Sequence, residues 1–436
     1  CPRFLQTTPF LFLGNNNLSG VIPSDIGDLT FLQNFFVGDN TIGGEIPVDF
    51  YNMINLESVL LYNNSFDGSL LPEIGNLDQL RQLWIGNNHF SGALPAEIGN
   101  LVLLEELTMG WNEFSGVLPP EIGNLTNLKI LQLPGNNFWG GIPAEWVNLA
   151  SLTSLELENI DINNALQDVI CSLTSLESLN LRACIIKGPL PPCIGSLTNL
   201  SFLNLSNCQL EGTLPIELYD LTQLTHLDLS FNSLSGSLND NLDSFTYLVF
   251  LSVAYNEFTG VVPATITNLG TFSADLSHNK FDGLPDLTGI TTSEFLVYQN
   301  FLTFEDLEPN IGVLNLNYTP QKNIPDQGNF NLNIGDPLTI AFNVGGTNNQ
   351  YQWYKDGTPL DGETNNVFEI ASFSETDAGT YYLEITNTAV TDLTLQTEEF
   401  DIRLYEEGGY CDTAVEAVVG TNNTPSAPYW TYYTAP

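Results

Sequence analysis

The side chains that could carry out chemistry in this sequence are three histidines, six cysteines and fifty-one carboxylates. His89, His226 and His278 are far apart, and no Cys and His spacing resembles a zinc site. No glycine-rich loop leads from a strand into a helix, and no serine lies in a nucleophile motif. Paired acids such as Glu105-Glu106 and Glu398-Glu399 arise by chance among so many acids. We therefore expect a protein that is not an enzyme.

The charge balance excludes two classes of partner. Nine Lys and Arg against fifty-one Asp and Glu give a formal net charge of -42. A nucleic-acid-binding surface needs a basic stripe, and an anionic membrane would repel this chain. No apolar run is long enough to cross a bilayer, so we expect no membrane insertion in this segment. Such acidity suits a high-salt extracellular setting, and we predict an extracellular or cell-surface location.

The many carboxylates raise the question of a calcium site. Calcium-binding loops alternate acidic residues at a fixed spacing, and that spacing is not present in the sequence. We therefore expect no metal and no cofactor, and calcium held by loop carboxylates stays an alternative that the acidity allows.

A period of twenty-four residues organises most of the chain, and an asparagine marks it. The marker positions that hold asparagine are Asn16, Asn40, Asn64, Asn88, Asn112, Asn136, Asn232 and Asn256. Ile160, Cys184 and Cys208 occupy the intervening positions, and Asn279 and Asn300 continue the series with shorter spacing. The sequence therefore predicts thirteen coils.

Each period predicts one coil of a solenoid. The segment Leu-x-x-Leu-x-Leu is a short strand whose Leu side chains point inward. The asparagine after it, here called the ladder position, turns the chain, and its amide bonds the backbone groups that the turn leaves unpaired. A short helical or irregular segment then returns the chain. One coil cannot bury its apolar edge alone, so neighbouring coils must stack, with their strands in one parallel sheet.

The repeated pattern Leu-x-x-Leu-x-Leu-x-x-Asn-x-Phe-Ser-Gly-x-Leu-Pro-x-Glu-Ile-Gly-Asn-Leu resembles the plant-type leucine-rich repeat, which also occurs in secreted bacterial proteins. The resemblance covers residues 1–315. It implies a horseshoe with a parallel sheet on its concave side, an irregular or helical convex side, and a partner bound on the concave sheet. Ile160 and Asn164 depart from the pattern, so the coil around Asp161 is expected to bulge.

The residue four positions before each ladder position must point out of the sheet, because strand side chains alternate. Read coil by coil, this column is Phe12, Phe36, Leu60, Trp84, Thr108, Gln132, Glu156, Asn180, Asn204, Asp228, Ser252 and Asp275. Its first third is apolar and aromatic, and the rest is polar and acidic. Adjacent strands are about 4.8 Å apart, so the rings form an exposed strip typical of an interaction site. The alternative is that missing N-terminal coils or a neighbouring domain cover it.

This aromatic strip is the predicted ligand-binding site. Rings of this kind stack on sugar faces or anchor a protein contact. The candidate residues, including two neighbouring aromatics and two charged groups, are Phe12, Phe36, Leu60, Tyr62, Trp84, Trp111, Arg81 and Glu105.

After Asn300 the period ends, and residues 316–405 change to alternating strands separated by turns. This region resembles an immunoglobulin-like sandwich, in which Trp353 is the core tryptophan and Tyr381 the tyrosine corner. The usual disulfide is replaced by an apolar pair, Leu383 and Phe342. Residues 406–436, which include Cys411, resemble the start of a truncated further β domain.

The repeat register limits the cysteine pairings. Cys171 and Cys193 lie in the return segments of adjacent coils, at a separation that a disulfide can span. Cys184 and Cys208 share the ladder position of consecutive coils, where the spacing is too wide for a bond. We predict a Cys171–Cys193 disulfide and two buried thiols.

These observations favour a non-catalytic binding region of a large secreted or cell-surface bacterial adhesin. The concave strip would recognise a carbohydrate or protein ligand, and the immunoglobulin-like module would act as a spacer. One alternative is a structural segment of an extracellular multi-subunit assembly, in which the strip mediates self-association. Another is a set of accessory modules of a secreted hydrolase.

Overall fold

The computed structural model describes residues 9–160 and 169–405. The chain divides into two compact units, Cys1–Phe258 with Thr265–Leu276, and Thr259–Ala264 with Ser277–Pro436. The predicted bulge at Asp161 and the predicted further domain at 406–436 lie outside the described residues. Each unit is described by itself below.

The first unit is built around a parallel sheet of short strands, one from each repeat. In its described part the twelve strands are Phe10–Phe12, Asn34–Phe36, Ser58–Leu60, Gln82–Trp84, Glu106–Thr108, Ile130–Gln132, Ser154–Glu156, Ser178–Asn180, Phe202–Asn204, His226–Asp228, Phe250–Ser252 and Phe272–Asp275. Neighbouring strands pair twenty-four residues apart along most of the sheet, for example Leu83 with Leu107. The repeat spacing therefore sets the register.

Smaller parallel strands follow the ladder positions of many coils. They are Ser19–Gly20, Thr41–Gly44 and Ser65–Phe66; Ser91–Gly92, Glu113–Val117 and Asn137–Trp139; and Glu211–Thr213, Ser233–Gly236 and Glu257–Val261. Beneath them runs a stack of phenylalanines, in which Phe66, Phe90 and Phe114 are parallel with ring centroids 6.0 Å apart. The Phe of the repeat pattern thus fills the space behind the sheet.

The return segments of the coils are single turns of 3-10 helix. They are Ser24–Asp28, Val48–Asn52, Pro72–Asn76, Ala96–Asn100, Pro120–Asn124, Ala144–Asn148, Ile170–Ser172, Pro192–Ser196, Ile216–Asp220, Asp240–Ser244 and Ala264–Asn268. A proline precedes most of them and fixes the φ angle of entry, as Pro95 does at -70°. Most of these turns then bury an apolar side chain such as Ile98.

The buried asparagine amides connect neighbouring coils. The Asn112 amide nitrogen donates to the carbonyls of Ile85, Met109 and Gly110 at 3.0, 3.1 and 3.3 Å. Its carbonyl oxygen accepts from the backbone nitrogen of Phe90 at 3.0 Å. The same pattern recurs in other coils. The amide nitrogen donates to the carbonyls 27 and 3 residues earlier, and the amide oxygen accepts from the backbone nitrogen 22 residues earlier. The residues that show it are Asn40, Asn64, Asn88, Asn136, Asn232 and Asn256.

The four cysteines within the described residues fall into two structural classes. Cys171 and Cys193 form a disulfide with their Cα atoms 5.7 Å apart. Cys184 and Cys208 are buried thiols at ladder positions. The Cys208 thiol donates to the Leu181 carbonyl at 3.0 Å, the acceptor 27 positions back that an asparagine would use. A thiol therefore makes one of the contacts of the ladder amide.

The second unit begins with the last repeats and their C-terminal cap. Strands Thr292–Leu296 and Leu316–Asn317 are parallel, and Lys280–Gly283 pairs with the end of Glu257–Val261. The chain between Thr292–Leu296 and Leu316–Asn317 contains the helix Phe304–Leu307, which has a capping box formed by Thr303 and Asp306. The 3-10 turn Glu308–Asn310 follows this helix. Phe304 and Leu307 are fully buried, so the helix covers apolar surface at the end of the repeats.

The module that follows is all β. Its strands are Phe330–Leu332, Leu338–Ala341, Asn349–Lys355, Thr358–Pro359, Val367–Ile370, Gly379–Asn387, Thr394–Gln396 and Phe400–Leu404. One mixed sheet runs Phe330–Leu332, Phe400–Leu404, Gly379–Asn387, Asn349–Lys355 and Thr358–Pro359, with Thr394–Gln396 also on Gly379–Asn387. Leu338–Ala341 and Val367–Ile370 form a second, antiparallel pair.

Two aromatic side chains, Trp353 and Tyr381, are buried in the core of this module. Trp353 is fully buried and donates from its indole nitrogen to the Asn365 carbonyl at 2.9 Å. The Tyr381 hydroxyl donates to the Asp377 carbonyl, four residues back, at 2.6 Å. Both rings therefore bury their apolar surface with the polar atom satisfied.

A carboxylate joins the repeat cap to the β module. Glu308 accepts hydrogen bonds from the backbone nitrogen and hydroxyl of Thr347, both at 2.8 Å, and from the Asn387 amide at 2.7 Å. Burial by itself raises the pKa of Glu308, but hydrogen bonds from Asn387, Thr347 and Asn348 outweigh it and leave the pKa below its usual value. The charged form of Glu308 therefore stabilises the second unit.

Replacing Asn112 with Ala should destabilise the repeats strongly. The change leaves buried backbone groups of two coils without partners, at about 1–3 kcal/mol for each unsatisfied group, so we expect a loss of about 2–4 kcal/mol in urea unfolding followed by circular dichroism. Asn16→Ala is the matched control, because the exposed Asn16 side chain donates to the carbonyls of Leu13 and Gly14 in its own coil. Equal losses in both variants would contradict the ladder role.

Replacing Glu308 with Gln should reduce the sensitivity of the second unit to acid. The folded-state pKa of Glu308 is lowered, so its stabilisation is present above the unfolded value of about 4.3 and is lost as pH falls through the folded value. Thermal unfolding between pH 7 and pH 3 should therefore show a smaller drop for Glu308→Gln than for the wild type. Glu305→Gln, in the same cap helix, serves as the control. Identical pH profiles for Glu308→Gln and the wild type would refute this role.

Candidate functional site

The aromatic strip is a row of rings in contact across the strands of the first unit. Ring centroids are 6.4 Å apart between Phe12 and Phe36, 5.8 Å between Phe36 and Tyr62, and 6.0 Å between Tyr62 and Trp84. Phe12 is 64% exposed, and the other three are half-buried. Leu60 lies in the same column, paired in register with Phe36 and Trp84. The strip thus forms a continuous apolar surface.

Glycines next to the strip allow the rings to lie against the backbone. An added Cβ at Gly14 would stand 2.3 Å from the Phe36 ring, and one at Gly38 would stand 2.8 Å from Phe36 and 3.0 Å from Tyr62. Both glycines lie two residues after a strip position, where a side chain would displace the rings. This glycine column was visible in the sequence and was not among the predicted site residues.

A groove of 310 Å³ opens where the strip ends. Its lining residues are Tyr62, Asn63, Trp84, Gly86, Asn87, Thr108, Gly110, Trp111, Gln132, Pro134 and Glu156. Three of the predicted site residues, Tyr62, Trp84 and Trp111, are therefore brought together around one depression. Phe12, Phe36 and Leu60 continue from it as the strip.

Trp111 adopts a backbone conformation that bulky residues rarely take. Its φ angle is +56°, in the left-handed region. The equivalent position in the preceding coils holds Asn63 and Asn87, residue types that tolerate this conformation. The Trp111 side chain is 55% exposed and lies over Gly135, whose added Cβ would stand 2.6 Å from the indole. Phe231 and Tyr255 take the same conformation at the equivalent position of later coils, so the repeat itself imposes the positive φ angle.

Polar groups surround the groove. The Trp84 indole nitrogen donates to Glu106 at 3.0 Å, and at the rim the Asn87 amide donates to Asn63 at 2.8 Å. At the far end, burial raises the pKa of Glu156, the neighbouring Glu158 raises it further, and a hydrogen bond from Asn180 opposes the shift. The groove therefore combines ring faces with amides and carboxylates, which disfavours an anionic ligand.

Arg81 and Glu105 lie away from the groove, because each precedes the strand whose last residue lines it. Arg81 and Lys129 both pair with Glu105, at 2.9 and 2.6 Å. Hydrogen bonds from Lys129 and then from Arg81 lower the pKa of Glu105. These charges form a network on the sheet face and do not line the groove.

A second pair of exposed aromatics lies further along the repeats. Phe231 and Tyr255 stack with ring centroids 4.3 Å apart, and both have positive φ angles. They are 55% and 43% exposed. Phe202 and Phe250 instead contact the ring of His226, which therefore lies in an aromatic row.

The described residues hold no group of three or more His, Cys, Asp or Glu side chains that could bind a metal ion. Across residues 9–160 and 169–405, none of the helices has both the length and the apolar character needed to cross a membrane.

Comparison with protein families identifies the repeats. The family described as a leucine-rich repeat region matches residues 58–189, and the leucine rich repeat family matches residues 10–29, 199–221 and 223–245. No curated protein matches the chain at a significant level.

Solved structures similar to the chain include two plant receptors. The ectodomain of the Arabidopsis thaliana receptor kinase GASSHO1/SCHENGEN3, solved with CASPARIAN STRIP INTEGRITY FACTOR 2, is 27% identical with a TM-score of 0.62, over 72% of this chain and 41% of that chain. The Arabidopsis receptor kinase HAESA ectodomain, solved with an IDA peptide hormone ligand, is 28% identical with a TM-score of 0.61, over 71% and 57%. The chain thus spans about half the length of these receptors.

A bacterial structure is similar over most of its length. A leucine-rich repeat protein of Leptospira interrogans is 26% identical with a TM-score of 0.59, over 73% of this chain and 86% of that chain. The family matches, these structures and the parallel sheet with its asparagine ladder confirm the predicted repeats. Residues 10–29, 58–189, 199–221 and 223–245 therefore carry leucine-rich repeats, and the repeats fold as a solenoid.

Proposed function

We propose that the chain is a non-catalytic binding region that recognises a carbohydrate or protein ligand on the aromatic strip and the adjoining groove. The observation that carries this proposal is the row of contacting rings from successive coils, with Phe12 exposed and Phe36, Tyr62 and Trp84 half-buried, which leads to a groove beside Trp111. A contiguous exposed apolar surface of this kind is typical of an interaction site.

The geometry of the strip suits an extended ligand that crosses the strands. Successive strands are about 4.8 Å apart, so the four coils from Phe12 to Trp84 present a path of about 15 Å. Sugar rings or apolar side chains would stack on the rings, as aromatic surfaces allow. The groove would accept one larger group, with neutral or cationic character because Glu106 and Glu156 lie close to it.

Similar proteins support a protein or peptide ligand. The solved HAESA ectodomain holds a peptide hormone, and the GASSHO1/SCHENGEN3 ectodomain was solved with an integrity factor. The carbohydrate alternative is supported by the combination of ring faces and amides around the groove.

We place this binding region in a secreted or cell-surface bacterial adhesin. The Cys171–Cys193 disulfide supports an oxidising compartment outside the cytosol. The similarity to a Leptospira interrogans protein over most of its length supports a bacterial setting. The β module is proposed to be an immunoglobulin-like spacer, supported by buried Trp353 and by the Tyr381 hydroxyl bonded to the backbone four residues back.

A second candidate is a structural segment of an extracellular assembly. It is favoured by the exposed stack of Phe231 and Tyr255, a further apolar surface in the same unit. Light scattering over a range of protein concentrations separates the two candidates, since a binding region of an adhesin should stay monomeric and an assembly segment should associate.

Replacing Trp84 and Trp111 together with Ala should abolish ligand capture. Both indoles line the groove, so their loss removes its apolar walls, whereas neither is fully buried and the thermal midpoint should shift by no more than about 4 °C. Capture is measured on glycan and protein arrays with the full chain. Phe231→Ala is the matched control, an exposed aromatic with positive φ outside the strip, and it should keep capture. Unaltered capture by the double variant would discard the site.

Replacing Trp111 with Asn should remove ligand capture without a loss of stability. Asn tolerates the left-handed conformation that costs a bulky residue about 1–2 kcal/mol, so the free energy of unfolding should stay equal or rise by about 1 kcal/mol. Urea unfolding and array capture are measured on the same preparation. A clear drop in stability would show instead that the indole serves the fold.

A further inference from the structure

The second unit contains a cavity of 320 Å³ to which the function proposed above assigns no role. Its walls come from the last repeats, from the connecting segment and from the β module. The lining residues are Thr259, Lys280, Asp282, Phe301, Leu302, Thr303, Lys322, Ile324, Pro325, Phe342, Asn343, Val344 and Leu395. We propose that this cavity binds a small amphiphilic anion, with an aliphatic chain inside and a carboxylate held by Lys280 and Lys322.

The walls of the cavity are mostly apolar. Leu302, Phe342 and Leu395 are buried, and Phe301 and Val344 are half-buried. Ligand sites in proteins are commonly cavities of about 300–1,000 Å³ with apolar walls and a few polar groups that orient the ligand. The volume equals that of about ten waters at roughly 30 Å³ each, enough for a chain of about ten carbons.

The charged side chains that line the cavity indicate the charge of its ligand. Its lining side chains include two of the nine cations of the chain, Lys280 and Lys322, and one carboxylate, Asp282. Lys322 is held in place, because its ammonium donates to the Asn279 carbonyl and lies 5.2 Å from the centroid of the Phe301 ring. An anion is therefore favoured here, whereas the groove of the first unit disfavours one.

The cavity is formed before any ligand binds, because its walls are tied together by backbone bonds. The backbone nitrogen of Ile324 donates to the Gln396 carbonyl at 2.8 Å, and the backbone nitrogen of Glu398 donates to the Ile324 carbonyl at 2.7 Å. Gln396 follows Leu395 in the wall, so the connecting segment and the β module are fixed beside the cavity. A preformed site spends little binding free energy on ordering its walls.

Calorimetric titration of the full chain with decanoate, and separately with decanol, tests this proposal. At pH 7.5 in 150 mM salt, where screening acts beyond about 8 Å, we expect saturable binding of one decanoate. Decanoate should bind at least about tenfold more tightly than decanol, because only decanoate meets the lysines. Absence of saturable decanoate binding, or equal affinity for the two probes, would overturn the proposal.

Substitutions in the lining of the cavity test whether decanoate binds there. Lys280→Met with Lys322→Met should weaken decanoate binding at least about tenfold, whereas Lys280→Arg with Lys322→Arg should keep it within about threefold. Val344→Trp should fill the cavity and block both probes. Lys129→Met removes a cation of the first unit and is the control, with unchanged decanoate affinity expected. Full decanoate affinity in the folded double Met variant would refute the site.

The outcome is independent of the function proposed for the strip. Trp84→Ala with Trp111→Ala should leave decanoate binding unchanged, and Val344→Trp should leave array capture unchanged. Loss of decanoate binding in the strip variant would place the anion in the first unit and overturn the assignment to this cavity.

Discussion

The asparagine amide that follows most strands of the sheet is the interaction on which the repeat region depends. A turn at this point leaves backbone groups of two coils without partners, and in an apolar interior each would cost free energy. One Asn112 side chain satisfies the carbonyls of Ile85 and Met109 and the backbone nitrogen of Phe90 at once. Because these partners lie in neighbouring coils, the amide also fixes the offset between them. The register of the sheet then follows.

That fixed register turns positions in the sequence into columns on the surface. Side chains on the outer face, such as Phe36 and Trp84, are aligned by this register, and Gly38 leaves room for the rings of Phe36 and Tyr62. The repeat thus supplies a rigid frame whose exposed columns are free to vary. At Trp111 the repeat imposes a backbone conformation that tryptophan disfavours. The fold alone therefore does not account for a tryptophan at this position.

The sequence predicted what depends on period and burial. The repeats, the parallel sheet and the alignment of Phe12, Phe36 and Trp84 follow from spacing alone, since a solenoid has little freedom in register. The groove could not be predicted, because it depends on where the Trp111 indole lies once φ is positive. The cavity of the second unit was also beyond sequence reasoning, since Lys280, Lys322 and Leu395 are distant in the chain and meet only through packing.

The two ladder thiols have a consequence for how the chain matures. Thiol exchange with a disulfide requires the thiolate, and burial, as the largest cause, raises the pKa of Cys208 to about 12. Cys208 is therefore held as the neutral thiol at pH 7. Once the coils have stacked, Cys208 is therefore chemically silent, and the Cys171–Cys193 bond is protected from being reshuffled by it. The stacking of the coils therefore excludes Cys208 from thiol exchange with the Cys171–Cys193 disulfide.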